Sequence, residues 1–196
     1  MKRTLLLTVA AVITVSLPAT GGPIMLTFEE PGVPDIIGDF YAPFGVYFDP
    51  VWRLTSASGT WPSHSGRFTV STISGASAGV ITFEGPVSSV SGWFTTSSPN
   101  RPALYLEAYT GPAGTGMFIA LDWIDLRNEG VMVPMEVCSA ANDIMSVVLR
   151  DSGNGFTLDD LCVQPVPEPT TMSILLAGIA CAGLRQCRIG VKGYRG

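Results

Sequence analysis

Between Gly21 and Gln164 the apolar residues come in short runs, each closed by a cluster of Gly, Pro, Ser or Asn. Few of these runs reach the roughly ten residues a helix needs, and none repeats at a helical spacing. The runs are rich in β-branched and aromatic side chains, which favour a pleated, half-buried surface. Strands are predicted at Ile24–Phe28, Gly45–Phe48, Arg67–Thr72, Val80–Phe83, Val87–Thr95, Ala103–Tyr109, Met117–Trp123, Val131–Val137, Ile144–Leu149 and Phe156–Val163. Several alternate with period two. Leu104, Leu106 and Ala108 oppose Tyr105, Glu107 and Tyr109, and Met145, Val147 and Leu149 oppose Ser146, Val148 and Arg150. The chain therefore reads as all-β, with residues 23–165 forming a jelly roll or β-sandwich.

Charge narrows the function. Between Gly21 and Gln164 there are five arginines, no lysine and fifteen Asp or Glu, a balance of 5 − 15 = −10. A surface that binds nucleic acid needs a basic footprint, so nucleic acid is excluded as a partner. Only 14% of all residues are charged and 46% are hydrophobic, a composition opposed to disorder.

The two ends read as targeting segments. Lys2 and Arg3 precede the uncharged stretch Thr4–Leu17, followed by Pro18 and the small residues Ala19–Gly22. This is the layout of a secretory signal over residues 1–22, with export as its consequence. At the other end Pro167-Glu168-Pro169 bars a helix and starts an exposed linker. An uncharged stretch runs from Pro169 to Leu184, and Arg185 and Arg188 follow it. A single anchor helix with a cytoplasmic basic tail is expected there, snorkelling or local thinning making up its short length.

The Pro-Glu-Pro motif, the apolar helix and the basic tail over 166–196 together resemble a PEP-CTERM sorting signal. The resemblance implies a bacterial surface protein processed by exosortase. It would be held transiently in the inner membrane, cleaved near the motif, and left at the cell surface or outside it with exopolysaccharide. The body carries a second resemblance. Leu26-Thr-Phe-Glu-Glu30, Gly38-Asp-Phe-Tyr41, Gly45-Val-Tyr-Phe48, Ile81-Thr-Phe83 and Gly155-Phe-Thr-Leu-Asp-Asp-Leu161 look like the jelly-roll ectodomains of PEP-CTERM proteins. Those are similar in form to carbohydrate-binding-module sandwiches.

No residue set assembles a catalytic centre. Gly75-Ala-Ser77-Ala-Gly79 matches a nucleophile-elbow pattern. The segment after it reads as a strand rather than a helix, and the single histidine, His64, lies upstream. One histidine builds no His-based zinc site. Asp151-Ser-Gly-Asn-Gly155 lacks the glycine and terminal glutamate of a calcium loop and reads as a turn. Glu84, Glu107, Asp122 and Asp125 are the carboxylates a glycosidase pair would draw on, but solvated strand faces explain them as well. The expected function is a non-catalytic exported surface or matrix protein. A sugar-binding module is the alternative, and a secreted hydrolase comes third.

Three structural sites are expected in the body. Cys138 and Cys162 end predicted strands and form a candidate disulfide, closing a loop of about 25 residues worth ~3 kcal/mol. Trp61 sits among Ser, Gly, Thr and Pro in a loop, suited either to stacking on a sugar or to plugging the sandwich. Glu29 and Glu30 close the first strand while Asp159 and Asp160 sit in the last, so a structural calcium would relieve their repulsion if those strands meet.

The sorting signal makes a direct prediction. In a host that carries exosortase, the mature protein is expected to end near Pro169. An intact mass that still includes Arg195-Gly196 rejects it.

Overall fold

The computed structural model describes residues 22–49, 52–58, 61–72, 78–96, 103–125, 131–151 and 156–166, all within the compact unit Gly21–Val166. The signal segment, Pro167-Glu168-Pro169, Arg185 and Arg188 lie outside the described residues, as do Ser77 and Ser152–Gly155. Among the described residues no helix is long and apolar enough to cross a membrane.

Ten strands build the domain: β1 (Ile24–Leu26), β2 (Val46–Asp49), β3 (Trp52–Ser56), β4 (Phe68–Thr72), β5 (Gly79–Thr96), β6 (Ala103–Tyr109), β7 (Phe118–Asp125), β8 (Val133–Cys138), β9 (Ile144–Asp151) and β10 (Phe156–Pro165). Among the described residues, two short 3-10 turns, Ala42–Phe44 and Pro112–Gly114, are the other regular elements. All the pairings are antiparallel.

The 18-residue strand β5 belongs to both layers of the sandwich. Its first half lies between β2 and β9, with β6 and β7 continuing that layer. Its second half lies between β8 and β10, and β10 in turn pairs with β4 and β1 along its other edge, β3 closing that layer. Inward residues of both layers merge into one core. Leu26, Val70, Phe94, Leu158 and Leu161 come from one, and Phe48, Ile81, Leu104, Leu106 and Leu149 from the other.

Two expectations change here. Val80–Phe83 and Val87–Thr95 are one strand, continuing through Gly85-Pro86 because the flanking strands supply partners on both sides of the proline. Trp52–Ser56 is a strand the composition did not reveal; it hydrogen-bonds along all of β4.

A line of aromatic rings closes one end of the core. Phe28 meets Tyr41 and Phe48 edge-on, Phe48 meets Trp52 at 5.4 Å, and Trp52 meets Phe156 at 5.7 Å. Such edge-to-face pairs add to the energy of burial. Tyr41 is fully buried and donates its hydroxyl proton to Glu30 Oε2 at 2.7 Å. Burial, and then that hydrogen bond, push the Tyr41 pKa well above its ordinary range. Trp52, also fully buried, donates its indole N–H to the Val80 carbonyl.

The Trp52 ring leaves no space at Gly79. A Cβ there would lie 2.4 Å from Trp52 Cζ2 and 2.8 Å from Thr72 Cγ2. Gly79→Ala is therefore expected to destabilise the domain by about 1–3 kcal/mol through overpacking. In a Trp52→Phe background the same substitution should cost less, since the clashing ring is gone. Urea midpoints of the two single variants and the double variant check this; strictly additive effects contradict it.

Candidate functional site

The expected meeting of the first and last strands occurs, since Ile24, Met25 and Leu26 pair with Val163, Cys162 and Leu161. The four acidic residues nevertheless do not form one cluster. Glu30 turns back to Thr27 and Tyr41, accepting from the Thr27 N–H and the Tyr41 hydroxyl. Glu29 Oε1 accepts the backbone N–H groups of Arg67 and Phe68. Gly66, at φ +58°, is required beside it, because a Cβ there would sit 2.3 Å from Glu29 Oε1. Asp159 and Asp160 bind the neighbouring residues of the same loop, His64 and Ser65. Among the described residues no group of three or more His, Cys, Asp or Glu side chains is placed to hold a metal ion.

A bulge in β10 brings Asp159 and Asp160 to the same loop. Regular alternation would point them to opposite faces, but pairing with β5 slips between Asp159 and Cys162, and Asp160 takes φ +47°. Aspartate tolerates that left-handed conformation better than most residues. Asp159 is fully buried, and its Oδ2 accepts the N–H of His64 at 2.7 Å and of Ser65 at 2.9 Å. Asp160 takes the Ser65 hydroxyl proton at 2.7 Å, and its Oδ2 lies 2.6 Å from His64 Nδ1. The His64 ring is thereby laid flat on Trp93, 3.6 Å between centroids and 8° from parallel.

This arrangement closes one side of a cleft of about 740 Å³ on the outer face of the β1-β10-β5-β8 layer. Trp93 and Ser91 come from β5, Asp160 and Cys162 from β10, Glu136 and Pro134 from β8, and Asp122 reaches in from β7. The volume falls within the usual range of ligand pockets, about 300–1,000 Å³. Trp61 does not line it; that residue is half-buried in the preceding turn, bonded through its backbone to Ser58.

The outer face of the other layer has a different character. Trp123 and Tyr105 are direct cross-strand partners, and Arg150 stands opposite Tyr105 on the next strand. Trp123 is 56% exposed, Leu121 47% and Phe118 55%, an unusual display of large apolar side chains along one strand. In the next row Glu107 accepts the Tyr109 hydroxyl proton at 2.6 Å and pairs with Arg150 Nε at 3.2 Å. That hydrogen bond, with burial second, raises the Tyr109 pKa. The loop from Thr110 to Met117 folds back and caps one end of this face. Ala113 N–H donates to Thr82 Oγ1, Gly114 N–H donates to Ser146 Oγ, and the Ser146 hydroxyl donates to the Gly111 carbonyl.

Among the carboxylates considered for glycoside hydrolysis, Glu107 does not converge with Asp122 or Asp125. Glu107 and Asp122 lie on adjacent strands but face opposite sides. Glu107 and Asp125 share a face, yet Glu107 pairs with Leu121, four positions from Asp125, or roughly 13 Å along the strand. Catalytic pairs sit about 5–10 Å apart.

The disulfide expectation is also corrected. Cys138 and Cys162 are free. Cys138 pairs with Ser89 on one flank of β5 and Cys162 with Ser91 on the other. Two strand spacings, about 10 Å, separate them, beyond the ~7 Å Cα limit of a disulfide. Burial, followed by a hydrogen bond to Glu136, raises the Cys138 thiol pKa.

Trp93, Trp123 and Tyr105 were missed as site residues because each lies within a strand. The outward phase of Tyr105, Glu107 and Tyr109 was the available signal.

Burial raises the Asp159 carboxyl above its ordinary 3.8, against the partly opposing backbone N–H bonds. An acid with a raised folded pKa binds more protons folded than unfolded. Its contribution to stability is full below the ordinary value and is lost as pH rises through the raised one. Urea midpoints between pH 3 and 7 are expected to show this falling component in the wild type and not in Asp159→Asn. Parallel profiles contradict it.

No family model matches the chain, and neither does any curated protein. Solved structures do. The K2 cleaved adhesin domain of Lys-gingipain aligns with TM-score 0.50 at 13% identity, covering 72% of this chain and 99% of that one. The K1 cleaved adhesin domain of Lys-gingipain from Porphyromonas gingivalis W83 gives 0.48 at 15%, covering 74% and 99%. A family 6 carbohydrate-binding module from Clostridium stercorarium, solved in complex with cellobiose, gives 0.40 at 15%, covering 62% and 86%. At these identities the likeness is one of fold, and the chain shares the β-sandwich architecture of the K2 adhesin domain.

Proposed function

We propose that residues 22–166 are a non-catalytic module that binds a polysaccharide along the outer face of β6, β7 and β9. The observation that supports this reading is the row Trp123, Tyr105, Arg150, with Glu107 held beside it by Tyr109 and Arg150. A pyranose ring presents flat C–H faces and a rim of hydroxyls. Exposed indole and phenol rings cover the first, and a half-exposed guanidinium with a fixed carboxylate bonds the second. A fold alone transfers no ligand, so the reading stands on this chemistry.

The proposal extends to the rest of the chain. The module is exported by the 1–22 signal. It is cut by exosortase near Pro167-Glu168-Pro169, after transient anchoring by the helix flanked by Arg185 and Arg188, and is left at the surface with exopolysaccharide.

Affinity electrophoresis against neutral β-glucan, xylan and galactan tests the binding. At least one is expected to retard the protein. Trp123→Ala and Tyr105→Ala should each weaken that interaction about tenfold or more, as loss of an aromatic anchor does. Retardation unchanged in both variants refutes the assignment to this face.

A further inference from the structure

The second outer face carries different chemistry. The cleft over Trp93 is rimmed by Asp122 from β7, Glu136 from β8 and Asp160 from β10. Among the described residues no lysine or arginine lines it, and His64 is the one ionisable nitrogen side chain there. Asp122 is fixed in place, since its Oδ2 accepts the Glu136 N–H at 2.9 Å. Glu136 itself is exposed at the rim. Trp93 lends an aromatic wall, one face of its indole covered by the His64 ring.

We infer that this cleft binds a protonated amine, and that the amine belongs to a de-N-acetylated amino sugar of a polysaccharide. An ammonium meets carboxylates through charge-assisted hydrogen bonds and an indole through cation–π attraction. The three carboxylates come from three strands around an open cleft and are not gathered to the few ångströms a bare ion requires. A ligand spanning the cleft, with an ammonium at one position and hydroxyls at others, reaches them and Ser91 together. A rigid sugar ring does this with less loss of freedom than the four-carbon stem of a lysine. The −10 balance between Gly21 and Gln164 adds long-range attraction for a polycation.

This inference deepens the polysaccharide reading by naming a cationic sugar, and it concerns a different face. Calorimetric titration of the full-length protein with glucosamine tetramer and with N-acetylglucosamine tetramer decides it. The free-amine tetramer should bind at least tenfold more tightly. Glu136→Gln and Trp93→Ala should each reduce that binding about tenfold, and rising salt should weaken it. Melting temperatures check that the variants fold, and Asp122→Asn provides a second rim variant. Equal affinity for the two tetramers, or binding indifferent to Glu136→Gln and Asp122→Asn, overturns it. So does tetralysine bound in preference to the glucosamine tetramer, which points to a protein partner. Trp123→Ala separates the two readings. Neutral-glycan binding lost there and amine binding retained upholds both. Amine binding with no neutral-glycan binding upholds this inference and removes the other, and the reverse removes this one alone.

Discussion

Everything in the domain hangs on β5 serving two layers. Where β5 passes from one layer to the other, the set of side chains it turns inward changes. In β5 the buried phase runs through Gly79, Ile81, Phe83 and Val87, then Val90, Gly92 and Phe94. The phase slips by one residue at Ser88 and Ser89, two small polar residues able to face either way. The slip stays satisfied: Ser88 Oγ donates to the Gln164 carbonyl, and the Ser88 carbonyl accepts the Ser139 N–H. Without it, half the strand would turn its apolar side to water.

A second phase change, in β10, has a different use. The bulge at Asp159 and Asp160 lets Phe156 and Leu158 stay inward on one side and Leu161 and Val163 on the other. The extra residue frees two adjacent carboxylates to act on one loop. Asp159 is buried at a cost in desolvation, partly offset by the N–H groups of His64, Ser65 and Asp160. What that cost secures is position, since the stretch His64–Phe68, held by Asp159 at His64 and Ser65 and by Glu29 at Arg67 and Phe68, sets the His64 ring against Trp93. Strain and desolvation gathered at one bulge are a common mark of a functional feature.

Local pattern was legible in the residues, and long-range placement was not. Period-two alternation in Ala103–Tyr109 and Ile144–Leu149 set both faces of those strands. Gly85-Pro86 misled because punctuation is a local signal, whereas strand continuity there depends on β9 and β10, whose residues lie far along the chain. The acidic pairs at Glu29 and Asp159 did mark where the first and last strands join, but not that backbone N–H groups of a third segment take their charge. Trp61 drew notice for its loop setting. The tryptophans that face outward at the site, Trp93 and Trp123, are strand residues, and only the register shows which side each is on.

Strand β7 ties the two outer faces together. It lies at the end of one layer, and its successive residues point opposite ways, so Asp122 enters the acidic cleft while Trp123 joins the aromatic row. Its residues Ile119, Ala120 and Ile124 pack against the core, while Phe118, Leu121 and Trp123 face solvent, where packing does not fix their identity. Phe118, Leu121 and Trp123 run against the usual means of protecting an edge, which are charge and proline. An apolar edge left exposed invites aggregation unless a ligand covers it. Asp122 and Asp125 flank Trp123 with negative charge, a safeguard against edge-to-edge pairing of two copies that leaves the indole open to an uncharged partner. On this strand Asp122 stands beside the aromatic row in sequence and at the same time supplies part of the rim of the neighbouring cleft.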